Sequence, residues 1–97
     1  MMALDPGLCP GGVTELRETV AALHEAGIGV ILDLVFNHSG ESDMHGGTLS
    51  LRGLDPAAYA RGADGSLIND TGCGNTLDFA NPHVRRLMRD TLSHFVR

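Results

Sequence analysis

The chain has 97 residues, a net charge of −5 and 42% hydrophobic residues, the composition of one ordinary globular domain at most. Its seven basic residues are all arginine, and only Arg85, Arg86 and Arg89 cluster, which argues against a nucleic-acid partner. No apolar run approaches the roughly 20 residues of a membrane span, and the segment from Met1 to Pro6 lacks the basic-then-apolar order of a signal peptide. Cys9 and Cys73 stand alone, at a spacing that fits neither a zinc site nor a disulfide framework. Two isolated thiols suit a reducing cytoplasm, with no metal or cofactor expected.

Pro6, Gly7, Pro10, Gly11 and Gly12 punctuate an extended lead-in. A helix is predicted over 13–26, because Val13, Leu16, Val20 and Leu23 recur at three- and four-residue spacing and form one apolar stripe. Glu15 and Glu18 lie near its start, where the helix dipole favours anions. Gly27 is placed to stop it in a left-handed cap.

The run over 28–36 is almost wholly apolar and reads as a strand covered on both faces, as in a parallel sheet. It breaks abruptly into Asn37, His38 and Ser39, and polar groups at the carboxyl end of such a strand are where α/β proteins place their sites. A long connection follows over 37–80, rich in Gly, Ser, Asp and Asn; one of that length is usually functional or a small inserted subdomain. A second helix is predicted over 82–97, with Asn81 as N-cap and Pro82 as its first residue. Val84, Leu87, Met88, Leu92, Phe95 and Val96 share its apolar face. One strand and two helices cannot close a sheet, so the expectation is a piece of a larger domain.

Asp33-Leu34-Val35-Phe36-Asn37-His38 resembles the first signature motif of the α-amylase family, glycoside hydrolase family 13. Three further stretches, Asn37-His38-Ser39-Gly40-Glu41-Ser42, the run from Thr48 to Asp55, and Asn69-Asp70-Thr71-Gly72-Cys73-Gly74-Asn75-Thr76-Leu77, are similar to the glycogen-debranching, isoamylase-type branch. The resemblance covers nearly the whole chain. It implies an α/β fold, a partial (β/α)8 TIM barrel in which 28–36 is the third strand, 37–80 an excursion and 82–97 the third helix. It implies a retaining hydrolase of α-glucosidic linkages, α-1,6 branches above all, whose partner is an α-glucan such as glycogen or limit dextrin. The family's nucleophile, acid and third carboxylate all lie beyond this stretch, so no residue here is expected to be catalytic.

By the same resemblance His38 contacts substrate, its imidazole donating to a sugar hydroxyl. Asn37 matches an asparagine that binds calcium in many α-amylases or braces the loop; bracing is favoured, because six to eight oxygen ligands cannot be assembled around it. Asp33, inside the apolar run, needs a hydrogen-bonding partner and supports the site without being its nucleophile. Asn75 braces or lines the cleft. Glu41, Asp43 and His45 read as a solvated acidic loop, since their spacing matches no metal motif. The rival functions are a truncated, non-catalytic remnant or weak glycan-binding piece, and another family-13 activity such as maltooligosyl-trehalose chemistry. The scarcity of aromatics, one Tyr, three Phe and no Trp, argues against autonomous sugar binding.

Overall fold

The lead-in is a run of turns. The Asp5 carboxylate accepts the Gly7 N–H at 2.7 Å, and its carbonyl accepts Leu8 and Cys9 at 3.1 and 2.9 Å, the local bonding that makes aspartate a turn former. In this computed structural model, which describes residues 2–96, the chain divides into two units, Met1–Leu34 and Val35–Arg97.

The first unit carries helix α1, Gly12–Glu25. Gly11 has no side chain to cap it, so Glu15 in the first turn reaches back and its Oε2 accepts the Gly11 N–H at 2.6 Å. At the other end Gly27 takes φ +75°. Its N–H donates to His24 O at 2.9 Å and the Ile28 N–H donates to Leu23 O at 2.9 Å, the paired bonds of a Schellman motif. The apolar stripe Val13, Leu16, Val20 and Leu23 is half-buried, and α1 has no fully buried residue.

The strand and the partial barrel expected from 28–36 are not what the chain forms. The described residues contain no sheet, only two isolated antiparallel bridges, Tyr59 with Leu77 and Arg61 with Leu67. A strand needs a neighbour about 4.8 Å away to meet its donors and acceptors. No described segment supplies one to 29–36, whose backbone makes no hydrogen bond among the described residues. Burial fails with the pairing: Ile31 is 94% and Val35 61% exposed. Asp33, expected inside a covered strand and therefore in need of a partner, is exposed and makes no hydrogen bond among the described residues.

The second unit is built around Ala58, Tyr59, Leu77, Val84 and Met88, with Phe36, Leu51, Leu67 and Leu87 packed against them. Helix α2, Leu51–Leu54, leads into a 3-10 turn, Pro56–Ala58, which Asp55 caps by accepting the Ala57 N–H. The chain then runs through the two bridges and a glycine-rich turn to helix α3, Pro82–Val96. The predicted last residue of that helix, 97, lies outside the described residues. Asn81 opens α3: its Oδ1 accepts the His83 N–H at 2.9 Å, while its Nδ2 donates to Ala57 O at 2.9 Å. One side chain thus caps the helix and ties it to the 3-10 turn. The buried face of α3 is Val84, Met88 and Thr91. Thr91 belongs there because its hydroxyl donates to Leu87 O at 2.8 Å, four residues back, which satisfies it internally. Leu92 and Val96, assigned to that face by spacing, are 45% and 86% exposed.

Candidate functional site

Asn37, His38 and Asn75 come together in the second unit; Asp33 belongs to the first. The segment that starts at Asn37 is held from several directions. The Asn37 carbonyl accepts the Leu77 N–H at 3.0 Å, fixing the entry to the turn. Asn75 is fully buried at 0% exposure, and its whole amide is spent on the next residues. Oδ1 accepts the Ser39 N–H at 2.9 Å; Nδ2 donates to Ser39 O at 3.1 Å and Ser42 O at 2.8 Å. A buried polar group is tolerated when its bonds are made, and an amide, donor and acceptor at once, suits a backbone offering both.

Asn75 is itself placed by the glycine-rich turn. Thr71 Oγ1 donates to Asn75 O at 2.6 Å and accepts the Cys73 N–H at 3.2 Å, while Asn69 Oδ1 accepts the Gly74 N–H at 2.7 Å. Gly74 sits at φ +94°, and a Cβ there would lie 2.5 Å from Asp43 N and 2.6 Å from Ser42 C. Glycine is required for the backbones of 74 and 42–43 to approach so closely.

His38 is half-buried and Asn37 exposed. The His38 Nδ1–H donates to Asn37 Oδ1 at 2.7 Å. An amide oxygen only accepts, so this contact places the imidazole proton on Nδ1 and leaves Nε2 as an acceptor in the neutral ring. Next to it, Ser39 Oγ and the Tyr59 hydroxyl are 2.8 Å apart. Burial pushes the Tyr59 phenol up from its ordinary value, and the Glu41 carboxylate adds to the rise; the hydrogen bond to Ser39 and the charge of Arg52 oppose it.

Glu41 departs from the expectation of a solvated loop. It is 2% exposed and pairs with Arg52, 9% exposed. Arg52 Nε is 3.6 Å from Glu41 Oε2, and the Arg52 N–H donates to Glu41 Oε1 at 3.2 Å. Its Nη1 and Nη2 donate to the carbonyls of Asp43 and Gly46. Arg52, Glu41 and Tyr59 were not singled out as site residues by sequence. The one available signal for Arg52 was its position as the only charge between Thr48 and Leu54. Among the described residues no group of three or more His, Cys, Asp or Glu is placed to hold a metal ion, and no helix is long and apolar enough to cross a membrane.

The chain is 54% identical over 83 residues to a glycogen debranching enzyme of Serratia proteamaculans, a match covering 84% of this chain and 13% of the relative. It is 48% identical over 100 residues to a glycogen debranching enzyme of Yersinia enterocolitica, covering 97% of the chain and 15% of the relative. A Yersinia pestis glycogen debranching enzyme is 48% identical over 99 residues. No protein-family model matches the sequence. The chain thus spans about 15% of the length of the curated relatives it matches. The 100-residue match covers 97% of the chain, so the residues that hold Asn37, His38 and Asn75 together, in the middle of the sequence, lie inside the similar region.

Proposed function

We propose that this chain supplies the glucan-contacting turn of a glycogen-debranching glycoside hydrolase of the α-amylase family's isoamylase-type branch. The observation that carries the reading is the held His38: its neighbours on both sides are fixed by Leu77 and Asn75, and its ring nitrogen is set by Asn37. Such preorganisation lowers the ordering cost of binding a sugar. The names of the relatives at 48–54% identity support glycogen or limit dextrin as the glucan. The substrate would lie with a hydroxyl directed at His38 Nε2.

In a retaining glycosidase one carboxylate attacks the anomeric carbon while a carboxylic acid protonates the leaving oxygen. The resemblance assigns neither role to a residue of this chain. Its part is to bind and orient, and glycogen as substrate makes the cytoplasm its place. The experiment is a chimaera in which this chain replaces the matching stretch of the Serratia relative. Release of chains from glycogen limit dextrin is expected; a folded but inactive chimaera contradicts the reading. Saturable binding of millimolar maltooligosaccharide by the 97-residue chain alone would favour the glycan-binding alternative.

A further inference from the structure

We propose that Arg52 is a positioning residue of this site, its guanidinium acting as the resident cation of the 41–46 turn. The inference rests on the His38 reading only for what is being positioned. Inward-facing carbonyls and a carboxylate converging on one point are the donor set of a hard-cation site. Here those oxygens are Asp43 O, Gly46 O and the Glu41 carboxylate, and the group at their centre is the guanidinium. Its charge offsets the buried carboxylate, and its planar fork spans two carbonyls that a point charge on a flexible stem does not bridge.

The pair reaches His38 through the backbone of the turn that follows it. Glu41 lies in the stretch that Asn75 grips at Ser39 and Ser42, and that Tyr59 meets at the Ser39 hydroxyl. The turn is thus clamped on one side by an amide and on the other by a guanidinium, with His38 at its edge. Gly46 fits the same reading: a Cβ there would lie 2.2 Å from Glu41 O, so the turn closes tightly around the cation.

The test uses amide hydrogen exchange of the 97-residue chain, with Met88 in α3 as internal reference. Arg52→Lys keeps the charge and loses the fork; it should lower protection of the Ser39 amide about tenfold while leaving Met88 unchanged. Millimolar guanidinium added to Arg52→Ala should restore Ser39 protection in a saturable way, and the same concentration of urea should not. If Arg52→Ala does not fold, the double variant Glu41→Leu/Arg52→Met decides, since replacing both members of a buried pair is often near neutral for stability. It should keep Met88 protection and lose that of Ser39. Wild-type Ser39 protection in Arg52→Lys or in the double variant overturns the proposal, as does failure of guanidinium to rescue a folded Arg52→Ala. In the chimaera, Arg52→Lys should raise KM for limit dextrin with kcat little changed. An inactive chimaera would count against the glucan reading alone, and the amide exchange would still decide the role of Arg52.

Discussion

Replacing Asn75 by aspartate should damage the second unit more than replacing it by alanine, although aspartate has nearly the same shape. Asn75 is fully buried and makes three side-chain hydrogen bonds, one accepted from Ser39 N–H and two donated to Ser39 O and Ser42 O. Alanine removes all three and orphans a backbone donor, a loss of roughly 2–4 kcal/mol from the lost bonds and the unsatisfied N–H together. Aspartate keeps the acceptor for Ser39 N–H but turns a second carboxylate oxygen toward two carbonyls, where Nδ2 had donated. It also buries a charge without a partner of opposite sign on that amide, adding several kcal/mol. Its carboxyl should therefore titrate upward in the folded state. The sign follows: stability should be regained as pH falls and the acid becomes a donor, while Asn75→Ala shows no such recovery. Urea denaturation followed by fluorescence of Tyr59, the only tyrosine in a chain without tryptophan, reads this directly. Equal or greater stability of Asn75→Asp than Asn75→Ala at pH 7 would refute the bonding assigned to the amide.

Three more expectations concern the same turn. Gly74→Ala should cost about 2 kcal/mol or more, because it combines positive φ with overlap on Asp43 N, whereas Gly65→Ala at φ +80° with open space around it should cost about 1 kcal/mol; equal losses in denaturation would count against the close approach of 74 to 42–43. The Tyr59 phenol, pushed up by burial, keeps its proton in the folded state after the unfolded chain has begun to lose it. Stability is therefore complete below about pH 10 and falls as pH rises through and above that value; phenolate absorbance of the single tyrosine should have a higher midpoint in the folded chain than in urea, and coincident midpoints would be a failure. Nitrogen-15 NMR should show the neutral His38 ring protonated at Nδ1, with Asn37→Ala shifting the proton toward Nε2; a wild-type ring already protonated at Nε2 would remove the role given to Asn37.

Local punctuation was the most legible part of the sequence. Gly27 as a helix stop and Asn81-Pro82 as a helix start are determined by their own backbone conformation and side-chain reach, which neighbours in sequence specify. The strand over 28–36 was misread for the opposite reason. An apolar run states that a segment is able to pair and be covered, but pairing depends on a partner, and the described residues offer none to it. The expected burial of Asp33 fell with the strand, from which it was inherited.

The site was legible only where a motif named its residues. The sequence placed His38 and Asn75 37 positions apart with nothing in periodicity to join them. Their link runs through the backbone of Ser39 and Ser42, and a contact between a side chain and a distant main chain leaves no residue-type signature. Glu41 and Arg52 were hidden by the ordinary rule that charges face water. They escape it because their charges offset each other, the Arg52 backbone N–H reaches Glu41 Oε1 and the guanidinium satisfies two carbonyls, although Glu41 Oε2 accepts no hydrogen bond among the described residues. The hydroxyl of Thr91 was overlooked on the buried face of α3 because its internal bond makes it behave as an apolar residue there.

The central claim is that His38 meets the glucan, and one kinetic comparison tests it most directly. In the chimaera with the Serratia relative, His38→Ala should lower kcat/KM on glycogen limit dextrin by about tenfold or more, the loss of at least one hydrogen bond to substrate. Unchanged kcat/KM in a folded His38→Ala chimaera would contradict it.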